Sequence, residues 1–197
     1  METEALIAAK KQQRKLCFAS RSALTAAQRS AYSAQICEKL ISLAQVQQAQ
    51  TIFSYMAFGS EVDLALFHDW AKAQGKRLAF PICLENGRMV ASVPAEVDGW
   101  ESGKYGIMTP VAARATMLTP QEVDLILVPC VGFDDDCRRL GHGGGYYDRY
   151  LQKALHATHI MIAFEAQRLD EVVCEAHDLP VATVLTESTM QHCSCAQ

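Results

Sequence analysis

The chain is predicted to be an α/β protein, three layers deep, with a mainly parallel sheet and helices on both faces. Short apolar runs with strand character alternate with amphipathic stretches of helical spacing, the pattern that builds such a sheet. The run Val123-Asp-Leu-Ile-Leu-Val-Pro129 is apolar at successive positions, as expected of a central parallel strand buried on both sides. Its length, 197 residues, suits one domain able to bury about 70% of its unfolded surface without staples.

In chain order, residues 4–20 predict a helix. A second, over 25–47, starts from the capping box Thr25-Ala-Ala-Gln28 and carries Tyr32, Ile36, Leu40, Leu43 and Val46 on one face. The two are expected to lie together on the main body. Ile52 to Met56 predicts a strand, Val62 to Gln74 a helix closed by Gly75, and Arg77 to Pro81 a second strand. Met89 to Val93 predicts a third, antiparallel strand. Residues 94–120 are expected to be irregular, and a stretch that long without elements suggests a functional flap. The strand at 123–129 follows, then a glycine loop, a helix over 146–156, and strands at 159–164 and 181–185. The chain is read as one domain, 1–197, with 188–197 a frayed tail.

Composition narrows the function classes. Hydrophobic residues make up 50% and charged residues 20%, ordinary for a soluble globular protein. A net charge of −4 argues against a nucleic-acid surface, which needs a clustered basic excess. Eight cysteines show neither a Cys-x-x-Cys pair nor a zinc spacing, so free thiols and a reducing, cytoplasmic home are expected, Cys193-Ser-Cys195 included. The mixed charges of residues 2–15 predict neither a signal peptide nor a membrane span. A monomer acting on small molecules is the expectation.

The most informative stretch is Arg139-Leu-Gly-His-Gly-Gly-Gly-Tyr-Tyr-Asp148. Gly141, Gly143, Gly144 and Gly145 let successive N–H groups converge on one anion, and the helix that follows adds its own free N–H groups. No Gly-Lys-Ser/Thr follows, which excludes the P-loop of NTPases. Tyr146 occupies the place of the third glycine of a dinucleotide fingerprint. Arg139 supplies a planar fork for phosphate oxygens, and Asp148 a hard oxygen ligand for a phosphate-bound magnesium ion.

Other residues admit two readings. Lys10 and Arg14, four apart on a helix, can grip a polyphosphate or form a solvated stripe with Lys11 and Lys15. Glu61 can accept hydrogen bonds from a heterocycle or complement a helix dipole. Met56 is core or the floor of a ring pocket. Trp100, Tyr105, Tyr146 and Tyr147 are stacking partners or core. Asp178 is a turn residue before Pro180, and His142 lacks an obvious partner. The loops Met56–Glu61 and Cys130–Tyr147 leave the carboxyl ends of strands and are expected to face one cleft.

Together, Lys10-x-x-x-Arg14, Glu61-Val-Asp63, Gly75-Lys, Tyr105-Gly-Ile107, Asp124-Leu-Ile-Leu-Val-Pro129, Phe133-Asp134, Arg139-Leu-Gly-x-Gly-x-Gly-Tyr-Tyr-Asp148, His177-Asp178 and Thr186-Glu187 resemble the 5-formyltetrahydrofolate cyclo-ligases. The resemblance implies a fold similar to the sugar-phosphate isomerase and CoA-transferase group. It implies ATP- and Mg²⁺-dependent closure of 5-formyltetrahydrofolate to 5,10-methenyltetrahydrofolate. By the same resemblance Lys10, Arg14, Arg139, Leu140, Gly141, His142, Gly143, Gly144, Gly145, Tyr146 and Tyr147 hold ATP. Met56, Glu61, Trp100, Tyr105 and the loop from His142 to Tyr146 hold the folate. Arg139 and Tyr146 are catalytic, and Asp148 and Asp178 bind the metal. The family's Gly-Ile-x-Glu-Pro is here Gly106-Ile-Met-Thr109-Pro110, and Cys130 and Cys137 stand where glycine is common. A binding relative without turnover is the alternative expectation.

Overall fold

The computed structural model of the chain describes residues 2–103, 106–175 and 178–193. Three helices lead: α1 (Glu2–Ala23), α2 (Ala26–Ser42) and α3 (Ala44–Gln48). The Thr25/Gln28 capping box forms reciprocally: the Gln28 N–H donates to Thr25 Oγ1 at 3.2 Å and the Thr25 N–H to Gln28 Oε1 at 2.9 Å. The single helix expected over 25–47 is divided, because Leu43 adopts extended backbone (φ −71°, ψ 131°) and ends α2.

Next come β1 (Thr51–Phe53), α4 (Ala65–Ala73), β2 (Arg77–Cys83) and β3 (Met89–Val93). Residues 94–120 are more ordered than expected. They hold the hairpin β4 (Trp100–Ser102) and β5 (Met108–Pro110), then β6 (Thr116–Leu118). β7 (Leu125–Pro129) precedes a two-residue hairpin within the glycine-loop approach, β8 (Gly132–Phe133) and β9 (Arg139–Leu140), and then α5 (Tyr146–Leu151). β10 (Thr158–Ile162), β11 (Thr183–Leu185) and β12 (Met190–His192) complete the chain.

The main sheet runs β12-β11-β10-β7-β1-β2-β3-β6. Its five central strands pair in parallel, and β3, β6 and β12 pair antiparallel at the edges. Alternate residues of each central strand feed opposite faces. Ile52, Leu125, Leu127, Ile160 and Ile162 pack under α2 and α4 against Ile36, Leu40, Phe67 and Ala71. Phe53, Ile126, Val128 and Met161 pack under α5 against Tyr150 and Leu151. Each large side chain so buried contributes about 1.5–3 kcal/mol. The α/β architecture with helices on both faces is therefore as predicted. α1 departs from expectation: it does not lie on a face beside α2 but packs on β8 and the Glu165–Gln167 turn, seating Cys17 with Val131, Leu140 and Val172.

Numbered among themselves, the parallel strands lie in the order 2-1-3-4-5, so the chain reverses direction across the sheet between β1 and β7. In open sheets of this kind the crevice outside the carboxyl ends at that point receives ligands. Asp124 fixes the pair from the other end, accepting the Gln50 and Thr51 N–H groups at 2.9 and 2.8 Å.

The tail corrects two expectations. β12 pairs with β11 where a frayed end was expected, and Cys193 is joined to Cys137 by a disulfide, not left as a free thiol. The cysteines therefore no longer support a reducing compartment. Among the described residues no helix is long and apolar enough to cross a membrane.

Candidate active site

Two loops leave the carboxyl ends of β1 and β7, and α1 lies across both. The Cys130–Tyr147 loop is organised by Asp134, wholly buried, whose carboxylate accepts the N–H groups of Asp136, Arg138 and Val172. It also accepts Nε of Arg138 at 2.7 Å. The turn beyond needs glycine: Gly143 (φ +96°) and Gly145 (φ +65°) sit in left-handed conformations that other residues rarely adopt. A side chain at Gly144 would collide with the Tyr146 ring, 2.8 Å from the Cβ position.

Lys10, Arg14, Arg139, Leu140, Gly141, Gly143, Gly145, Asp148 and Asp178 line one polar cleft together with Glu175. Nine residues from three separate stretches, each singled out in the sequence, thus meet. Arg139, 7% exposed, donates from Nη2 to Asp148 Oδ1 at 2.5 Å and lies over the Tyr147 ring at 5.9 Å. Arg14 donates from Nε to the Gly141 carbonyl at 2.8 Å, so the N-terminal helix grips the turn directly. Lys10 Nζ donates to Asp178 Oδ2 at 2.5 Å and Glu175 Oε2 at 2.7 Å. Burial pulls the Lys10 ammonium down, but hydrogen bonds to Asp178 and Glu175 outweigh it and hold its pKa above the ordinary value. Lys10 and Arg14 are accordingly not a solvated stripe.

On the other side, Glu61 accepts the Phe58 N–H at 3.0 Å through Oε2, while Oε1 pairs with His142 Nε2 at 2.9 Å. The β1 loop and the glycine loop therefore share a wall, and His142 gains the partner that its sequence context did not reveal. Met56 is half-buried on the α2/α4 core; Trp100 stands edge-on to Phe80 at 4.9 Å in that core. Trp100 is not among the described residues lining the cleft, and Tyr105 lies outside the described residues. Tyr146 is half-buried beside the α5 core, and the Tyr147 hydroxyl is buried without a partner. Burial raises the Tyr147 phenol well above its ordinary value and pushes the Cys130 thiol up to about 12, so neither ionises near neutrality.

Two residues escaped the sequence reading. Glu175 gave no motif, being one acid in a polar loop. Arg21, 3% exposed, donates from Nε to Ser60 Oγ at 2.9 Å and lies 4.0 Å from Glu61 Oε1. Its position seven beyond Arg14, on the same helical face, is the signal that was there to read.

Lys10, Arg14 and Arg139 supply hydrogen-bond donors and positive charge suited to a polyphosphate, beside the carboxylates of Asp148, Glu175 and Asp178. The chain is thus a mainly parallel α/β protein with a glycine turn beside its topological switch point. A family model agrees with this and narrows it: the chain belongs to the 5-formyltetrahydrofolate cyclo-ligase family, whose model matches residues 6–187. A 5-formyltetrahydrofolate cyclo-ligase of Haemophilus influenzae is 26% identical over 174 residues, 84% of this chain and 90% of that protein. The cyclo-ligase of Mus musculus is 27% identical over 183 residues, 85% and 88% of the two chains. The solved structure of Aquifex aeolicus 5,10-methenyltetrahydrofolate synthetase superposes with a TM-score of 0.82 at 28% identity, covering 95% of this chain and 94% of that one.

Proposed function

We propose that this chain closes 5-formyltetrahydrofolate to 5,10-methenyltetrahydrofolate at the expense of ATP, releasing ADP and phosphate. The observation that carries the proposal is the 2.9 Å pairing of Glu61 with His142, which sets an acceptor for heterocycle N–H groups against the phosphate-binding turn. One loop holds the reacting phosphoryl group and the other the ring it must reach. A likeness of the fold to sugar-phosphate isomerases and CoA-transferases belongs to the same reading; the parallel sheet with its switch point supports it.

The formyl oxygen is a poor leaving group. It attacks the γ-phosphorus of ATP, breaking the bond to ADP and giving an iminium phosphate. N10 then adds to the formyl carbon and gives up its proton to solvent, and the C–O bond breaks to release phosphate. Such transfers need in-line positioning and charge neutralisation more than covalent help. Lys10, Arg14, Arg139 and the amides from Leu140 to Tyr147 supply both. Tyr146 stands at the start of α5 to border the formyl group, with Met56 and Glu61 shaping the pteridine pocket.

Asp148 and Asp178 line the same cleft as these cations, and this pair of hard carboxylate donors would suit a magnesium ion. Such an ion neutralises charge on the transferring group. Lys10 and Arg139 pair with Asp178 and Asp148, and each would be released toward the phosphates if its carboxylate held a metal ion.

Purified protein with ATP, Mg²⁺ and 5-formyltetrahydrofolate is expected to generate the absorbance of the methenyl product. A folded protein that binds both substrates and yields no product would overturn the proposal in favour of a relative that only binds.

A further inference from the structure

Arg21 has no task in the reaction as set out above, yet its surroundings single it out. It closes α1, and with Lys10, Arg14 and Cys17 it falls on one helical face, spaced four, three and four residues apart. Lys10 holds Glu175 and Asp178, Arg14 the glycine turn and Arg21 the turn at Ser60. Each basic residue thus grips a different segment of the chain.

The Arg21 side chain is only 4% exposed, and the Glu61 side chain beside it 8%. Nε donates to Ser60 Oγ at 2.9 Å, and Phe18 stacks on the guanidinium at 5.4 Å. Nη1 is buried with no hydrogen-bond partner, 4.0 Å from Glu61 Oε1. An unpartnered guanidinium N–H out of water is disfavoured unless an opposite charge compensates it, and Glu61 is the carboxylate in reach.

We infer that Arg21 is a positioning residue for the folate-facing carboxylate: through Ser60 it fixes the turn that carries Glu61, and from behind it balances the Glu61 charge. When ring N–H donors displace His142 from Oε1, Glu61 then meets them already desolvated, charged and aimed. The inference rests on the reading that Glu61 faces the pteridine.

The test uses Arg21→Gln, Arg21→Lys, Glu61→Gln and the Arg21→Gln/Glu61→Gln double variant of the full chain. KM for each substrate is measured, with the Kd for 5-formyltetrahydrofolate by calorimetry and thermal unfolding alongside. Arg21→Gln is expected to raise KM and Kd for the folate roughly tenfold while leaving KM for ATP within about twofold. Arg21→Lys, which restores the charge, recovers most of that loss. In the Glu61→Gln background the Arg21→Gln change adds little, because its effect runs through the carboxylate. A parallel rise in both KM values, a lysine no better than glutamine, or an undiminished effect without the Glu61 charge each overturns the inference. Should Arg21→Gln not fold, Arg21→Lys paired with Glu61→Gln decides by the same coupling. A wild-type chain without turnover defeats the proposed activity alone, since the calorimetric Kd still judges Arg21.

Discussion

Arg139 and Asp148 are bonded at 2.5 Å with side chains 4% and 17% exposed, so neither can be deleted without stranding the other's charge. Arg139→Ala is therefore expected to cost about 3 kcal/mol of stability as well as activity, confounding its interpretation. Asp148→Asn keeps the shape and an acceptor for the arginine while weakening the proposed metal ligand. It is expected to fold, and to lose turnover by about 100-fold or more; single-turnover rates at saturating ATP and Mg²⁺ check this, and near-wild-type rates would remove Asp148 from the phosphoryl-transfer machinery. A second residue-scale consequence concerns pH. His68, bonded to Ser54 Oγ at 2.7 Å, has its pKa lowered from 6.5 to about 4, by burial first and Lys72 second. Between these values the unfolded imidazole binds a proton that the folded one refuses. The stabilisation is complete above pH 6.5 and is lost as pH falls toward 4, to a total of about 3 kcal/mol. Urea unfolding of wild type and His68→Gln from pH 7 to 4 isolates this contribution; parallel curves would refute it.

At the level of elements, the glycine turn and α5 work as one unit. Gly145 is the N-cap of α5 with φ +65°, and a Cβ there would stand 2.9 Å from Arg149 Nη1. Arg149 in turn donates from Nε to the Gly87 carbonyl at 2.9 Å and from Nη2 to the Gly144 carbonyl at 2.5 Å, tying the turn to the β2–β3 hairpin. Gly145→Ala is expected to cost about 1 kcal/mol from the backbone alone and to raise KM for ATP more than KM for folate, as steady-state kinetics with each substrate varied will show. Much of this unit was legible: glycines crowded before Tyr146-Tyr-Asp148 announced a tight turn opening a helix, and the unbroken apolar run from Leu125 to Val128 announced a central strand. The β8–β9 hairpin was not, because two-residue strands offer no periodicity to read. β4, β5, β6 and β12, three residues each, failed to register for the same reason. Leu43 continued the apolar face of α2 and so hid the break there. The placement of α1 also lay beyond the sequence: its basic residues could be read as a polyphosphate grip or a solvated stripe, and only the fold shows them holding Asp178, Gly141 and Ser60.

For the molecule as a whole, the disulfide between Cys137 and Cys193 closes the chain over 56 residues, from the approach to Arg139 to the strand at the sheet edge. By loop-closure entropy it contributes up to about 4 kcal/mol. Cys137 also has φ 58°, a left-handed conformation for a residue with a Cβ. Glycine would take that conformation without the penalty of about 1 kcal/mol that cysteine bears. The two effects can be separated. Cys193→Ser removes the crosslink and keeps the unfavourable backbone, whereas Cys137→Gly removes both. Both variants are therefore expected to unfold at lower temperature than the oxidised wild type and to lose sensitivity to reductant, with Cys137→Gly the more stable by about 1 kcal/mol. Calorimetry with and without reductant measures this, and intact-mass analysis after alkylation counts the protected thiols. If Cys193→Ser matches the oxidised wild type, the tail is not a structural staple; if Cys137→Gly is the weaker variant, the left-handed backbone does not penalise cysteine at this position.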